Sequence, residues 1–160
     1  MENNYQLTEA GFAQLEAELE ELKGEKRKEN LEAIKEARSQ GDLSENADYD
    51  AARDEQARIE SRIKEIENIL KHSDIIKENS RSRTIGIGKT VTVNLIKDGK
   101  KIIENKDYTI VGKLEANPFD GKISNESPLG QAIIGKRKGK EVVYKAESGQ
   151  EMTVEIVDIK

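Results

Sequence analysis

The chain has 160 residues and a formal net charge of −5; 34% of residues are hydrophobic, 37% charged and 4% aromatic, and there is no cysteine. That composition is lean for one compact core and normal for exposed helices, and it excludes a disulfide framework and thiolate metal ligands. No basic, apolar signal segment and no bilayer-length apolar run is present, so a cytoplasmic protein with no membrane partner is expected.

The charge is uneven. Residues 1–74 carry net −9 and residues 75–160 carry net +4. An acidic first half repels phosphates and suits a basic protein surface or channel better than nucleic acid along its whole length.

From Thr8 to about Gln40 there is no proline, and Phe12, Leu15, Leu19 and Leu22 recur at spacings of three and four, which predicts a coiled-coil helix. Thr8, Glu9 and Gly11 make its start. The apolar seam skips through Lys26 and resumes at Leu31, Ile34 and Ala37, a stutter that locally changes the supercoil. A second helix is predicted from about Ala47 to Lys71, with Ala52, Gln56, Ile59, Ile63, Ile66 and Leu70 as its seam. A chain reversal between Gly41 and Glu45 then sets Leu31 near Ile59 and Leu22 near Ile66. At about 1.5 Å per residue the resulting arm is on the order of 45 to 50 Å long.

The period then changes. Residues 1–74 form the hairpin, with its acidic tip at about 41–50; residues 75–83 read as linker and 84–160 as a small β-rich domain. Val91, Val93 and Leu95, an Asp98-Gly99 turn, and Ile102, Tyr108 and Ile110 predict one hairpin of strands. Val142 and Tyr144, a Ser148-Gly149 turn, and Met152, Val154 and Ile156 predict a second. Between them SPLGQAIIG reads as a short helix opening at Pro128.

The tip carries the chemistry. Asp42, Glu45, Asp48 and Asp50 fall within nine positions, bracketed by Arg38 and Arg53. Carboxylate oxygens suit magnesium, which keeps most of its waters and needs one or two protein carboxylates when phosphates supply other ligands. The competing reading is structural: Asp42 as an N-cap with Glu45 three residues on, a capping-box arrangement that starts the second helix. The two are compatible, because a cap would also hold both acids at the apex. For Arg38 and Arg53 the structural alternative is a surface arginine paired with a nearby acid.

A bare apex has no water-excluding pocket, and the lone His72 closes the second helix, where it serves the C-terminal dipole. The tip therefore needs a host site. The chain is expected to be an accessory factor and not an enzyme, with no metal bound stably alone. Gly88-Lys89-Thr90 looks like the end of a phosphate-binding loop, but Arg83 stands where that motif needs glycine and VTVNL follows instead of a helix.

GDLSENADYDAAR following EARSQ, and SNESPLGQAIIGKRKGKEV further on, resemble the two signatures of the Gre family of bacterial transcript-cleavage factors. The resemblance covers nearly the whole chain. It implies an α+β fold, in which the antiparallel coiled-coil hairpin is followed by an FKBP-like β-rich domain. It also implies that the hairpin enters the secondary channel of bacterial RNA polymerase and that the polymerase cleaves the extruded 3′ end of backtracked nascent RNA. On the same resemblance Asp42 and Glu45 help hold a second magnesium ion, shared with the polymerase, and orient water. Asn46, Asp48 and Tyr49 support the tip, Arg38 and Arg53 contact RNA, and Ser127, Pro128 and Leu129 dock at the channel rim.

Two departures stand out: Asp48 replaces a glutamate common in the family, and the run Lys136, Arg137, Lys138 and Lys140 is more basic than usual. That run reads most simply as a solvated turn. Two alternatives carry different expectations, a Gre-like channel-blocking inhibitor and a structural coiled-coil adaptor. A hairpin satisfied by its own seam predicts a monomer.

Overall fold

The computed structural model describes residues 4–42, 45–77 and 81–160. Among these, residues 12–73 form one compact unit, and residues 4–11 together with 74–160 form a second. The fold is mixed α+β, a helical hairpin and a β-rich domain.

The hairpin's first limb is α1 (Glu9–Glu21) and α2 (Arg27–Ser39), joined by a π-helical turn at Leu22–Lys26. The π turn falls where the apolar spacing stutters at Lys26: one extra residue per turn lets the seam regain its phase without breaking the helix. The second limb is a single helix, α3 (Ala47–Lys71), capped at its C-terminus by His72, whose Nδ1 lies 2.9 Å from the Asn68 carbonyl oxygen.

Ile34, Ala37, Ala52, Ile59, Ile63, Ile66 and Ile69 are buried, Ile66 completely. Gln56 and Leu70 are half-buried, so Ile69 takes the inward place that spacing assigned to Leu70. Leu31 corrects the sequence reading more sharply. It is 52% exposed, and its neighbour Asn30, 7% exposed, occupies the seam. Counting back four residues from Ile34 lands on Asn30 and counting back three lands on Leu31; both steps are helical, and the packing chose the polar residue.

Bidentate pairs lace the limbs together. Arg62 donates to Glu18 at 2.7 and 2.9 Å, and Arg27 donates to Glu60 at 2.8 and 2.9 Å. The hydrogen bonds from Arg27 hold the Glu60 carboxyl below its ordinary pKa. These pairs set limb order more than they stabilise, since half-exposed ion pairs are screened.

The second unit contains β3 (Thr90–Lys97), β4 (Lys100–Val111), β5 (Lys122–Ser124), α4 (Pro128–Ile133), β6 (Glu141–Lys145) and β7 (Glu151–Ile159). Its five-stranded sheet has the order β5-β4-β3-β7-β6, antiparallel except for the β4–β5 pair. Asp98 and Gly99 both have positive φ (50° and 75°), the two-residue turn that matches strand twist. Val91, Val93, Leu95, Ile110, Met152, Val154 and Ile156 form the core with Ile85 and Ile133. Ile102 is the exception, 53% exposed. A register irregularity opposite Val93 and Leu95 and a left-handed Asn105 (φ 48°) reset the alternation of β4, so that Ile103 packs against the core instead.

Two short strands were not legible beforehand. β1 (Tyr5–Thr8) pairs with β2 (Ser73–Ile76), which begins just before the expected linker and runs into it. Leu7 is fully buried. Thr8 donates its N–H and hydroxyl to Glu115 at 2.9 and 2.6 Å, while its Oγ1 accepts from Gly11 N–H at 3.0 Å and so caps α1. Gly112 lies under β1 so closely that a Cβ there would sit 2.0 Å from the Gln6 carbonyl oxygen. Gly112→Ala is therefore expected to displace β1, read as loss of amide exchange protection at Leu7 and Thr8 with the sheet core still protected.

Among the described residues no helix is long and apolar enough to cross a membrane. The Gly88-Lys89-Thr90 segment leads into β3, not a helix, and the buried Lys89 ammonium donates to the Ser82 carbonyl. It is a structural pin for the loop before the sheet.

Candidate functional site at the hairpin tip

The first limb ends at Ser39, and Gly41 with φ 123° turns the chain in a conformation that side-chain-bearing residues rarely adopt. Asp42 and Glu45 lie in the reversal and are exposed. The positions between them, 43 and 44, fall outside the described residues.

The cap of α3 is Asn46, not Asp42. Asn46 Oδ1 accepts from Tyr49 N–H at 3.1 Å, and its Nδ2 donates to the Ala37 carbonyl of α2 at 2.6 Å. The capping-box reading of Asp42 and Glu45 is thereby overturned, because α3 begins at Ala47 and its cap place is already taken. One asparagine both starts α3 and ties it to the last buried turn of α2. Removing it with Asn46→Ala is expected to cost about 1 kcal/mol of stability from the cap alone, measurable as a lower midpoint in urea unfolding.

Arg38 stands over the ring of Tyr49, its guanidinium carbon 5.8 Å from the ring centre, within reach of a cation–π contact. Arg53 donates to Gln56 at 2.7 Å. Neither arginine pairs with a carboxylate among the described residues, so the acid-paired reading of these two positions is not what the fold adopts. Asp48 is exposed on the first turn of α3, beside a groove of about 550 Å³ between the limbs that also touches Asn30, Ala37, Ala52 and Ile59. Asp48 and Asp50 in that first turn also favour α3 through its dipole.

Among the described residues no group of three or more His, Cys, Asp or Glu side chains is placed to hold a metal ion. What the tip presents is a pair of exposed acids at the chain reversal, with Arg38 over the ring of Tyr49 beside them.

In the second unit Ser127 caps α4: its Oγ accepts from Gly130 N–H at 3.1 Å and donates to the Ser124 carbonyl at 2.7 Å. Pro128 opens the helix and Leu129 packs half-buried against the core. All three also line an open, largely apolar groove of about 430 Å³ with Pro118 and Tyr144. Phe119, on the turn beside it, is 99% exposed. Its exposure follows from its place in the short turn Pro118–Asp120, closed by the left-handed Gly121. The basic run is exposed; Lys138 pairs with Asp158 at 2.8 Å.

An acidic-tipped helical hairpin with a small β-rich domain, and both sequence signatures on it, define a class of transcription factor. A family model described as the transcription elongation factor N-terminal domain matches residues 5–75, and one described as the GreA/GreB transcription elongation factor C-terminal domain matches residues 80–160. The chain belongs to the GreA/GreB family of transcription elongation factors. It is 55% identical over 152 residues to transcription elongation factor GreA of Acholeplasma laidlawii (strain PG-8A), covering 95% of this chain and 94% of that protein. To GreA of Bacillus cereus (strain AH187) it is 48% identical over 160 residues, covering 99% and 98%. A solved structure of the transcription factor Gfh1 is 31% identical with 99% of each chain covered and a TM-score of 0.47.

Proposed function

We propose that this chain is an accessory factor that inserts its hairpin into the secondary channel of bacterial RNA polymerase and stimulates the polymerase to cleave backtracked RNA. The observation that carries the reading is the tip itself: Asn46 caps α3, and Asp42 and Glu45 stand exposed at the chain reversal. Exposed oxygen ligands of this kind fit a magnesium ion that takes its remaining ligands from water, phosphate and the polymerase.

Asp42 and Glu45 would hold that ion in the shared site, where it would supply water activation and charge neutralisation at the leaving oxygen. The chain's own part is placement. The Asn46 contacts tie the start of α3 to α2, Arg38 and Arg53 offer positive charge to the 3′ end of the extruded RNA, and Tyr49 holds Arg38 in place. Asp48, one methylene shorter than the family's usual glutamate, supports the first turn of α3. Ser127, Pro128 and Leu129 dock the second unit at the channel rim, and the factor works as a cytoplasmic monomer. The acidic first half suits a basic channel.

The test is RNA cleavage in a stalled, backtracked bacterial polymerase complex supplied with magnesium, with and without the protein. Faster cleavage in its presence supports the reading. Binding without faster cleavage would make the protein a channel-blocking relative, and no binding at all would return it to a structural adaptor.

A further inference from the structure

Two reciprocal asparagine contacts bracket the half of the hairpin nearest the tip. Asn46, opening α3, donates to the Ala37 carbonyl of α2 at 2.6 Å, and Asn30 of α2 donates to the Ala52 carbonyl of α3 at 2.9 Å. Both acceptor alanines are buried. Asn30 is the one buried polar side chain of the hairpin among the described residues.

The apolar seam itself discriminates poorly between axial positions, and the Arg27–Glu60 and Arg62–Glu18 pairs beside it are half-exposed and screened. Ile59, Ile63 and Ile66 repeat the same shape at helical spacing, so a slip by one turn exchanges one isoleucine for another. The connection from Gln40 to Asn46 is long enough to absorb such a slip, which needs three or four residues. A buried amide is not indifferent: moved by a turn, it leaves its donors unpaired in an apolar seam. A single asparagine at a seam position is a documented way of specifying coiled-coil register at some expense in stability.

We propose that Asn30 is a positioning residue that locks α2 and α3 in one axial register and so sets how far Asp42 and Glu45 project. The link to the tip rests on the function proposed above; the register role does not.

The sequence has no cysteine, so paired spin labels attach only where cysteines are introduced. Lys35→Cys and Lys64→Cys place them on exposed sites of α2 and α3, well separated along the axis. With Asn30 present a single distance is expected. Asn30→Leu is expected to add a population displaced by about 5 Å, one helical turn, with the thermal midpoint unchanged or raised. Cleavage stimulation should fall in proportion to the displaced fraction. A residue serving stability alone would lower the midpoint and leave the distance single. Asn30→Ala, which removes the amide without adding apolar bulk, should show the same displaced population. A single unshifted distance in both variants overturns the proposal. A displaced register with undiminished stimulation overturns its link to the tip; the distances are read without polymerase, so the register result stands whether or not the tip promotes cleavage.

Discussion

Asp42→Ala and Glu45→Ala are each expected to remove stimulation of RNA cleavage by on the order of 100-fold, with binding to polymerase retained. Removing one preorganised charged group from a reacting centre typically costs that much or more, and 100-fold corresponds to about 2.7 kcal/mol of transition-state stabilisation. Binding should survive because both side chains are exposed and neither supplies the α3 cap. The double variant should be little worse than either single one, since two ligands of one ion act as a unit and their effects do not add. The measurement is the single-turnover cleavage rate at saturating factor. If both variants stimulate like wild type, the carboxylate mechanism is wrong even if the protein binds. Loss of binding in step with loss of cleavage would instead make the acids docking residues.

The second large effect lies in the hairpin seam. Ile66→Ala should destabilise the hairpin by roughly 2–5 kcal/mol, the range for deleting a buried isoleucine side chain to alanine when its surroundings relax only partly. Ile66 is 0% exposed. Leu31→Ala, at a position with the same helical periodicity, should stay within about 0.5 kcal/mol, because Leu31 is 52% exposed. Urea midpoints followed by helical circular dichroism would compare them. Equal losses would mean that Leu31 packs inward in solution and that the seam assignment of Asn30 is wrong.

That contrast shows how far the residues could be read on their own. The limits of α3, Ala47 to Lys71, were legible because a long periodic run with no proline or glycine leaves little choice. So was the Asp98-Gly99 turn, where aspartate and glycine tolerate the positive φ that a tight hairpin requires. The short helix at Pro128 followed from the same kind of local chemistry. The tip acids were legible as a cluster, and the signatures around them identified the family.

Other assignments had local solutions of nearly equal merit. Asp42 and Asn46 are both good caps, and the choice fell to Asn46 because its amide can also reach the Ala37 carbonyl across the hairpin. Ile102 and Ile103 are neighbours of one residue type, and the irregular register of β4 decided which of them faces the core. β1 and β2 lie about seventy residues apart in the chain, and neither four-residue segment announces a partner.

By itself the sequence determined what near-neighbour chemistry determines: helix and strand periods, turn residues, the charge asymmetry and the acidic cluster at a reversal. Tertiary structure decided which of two adjacent residues turns inward, which of two caps is used and how the chain's first strand is paired. The reason is physical. Propensities and caps depend on contacts within a few residues, whereas burial and long-range hydrogen bonds depend on what the other limb or strand brings to the same place, and for Asn30 that was the carbonyl of Ala52.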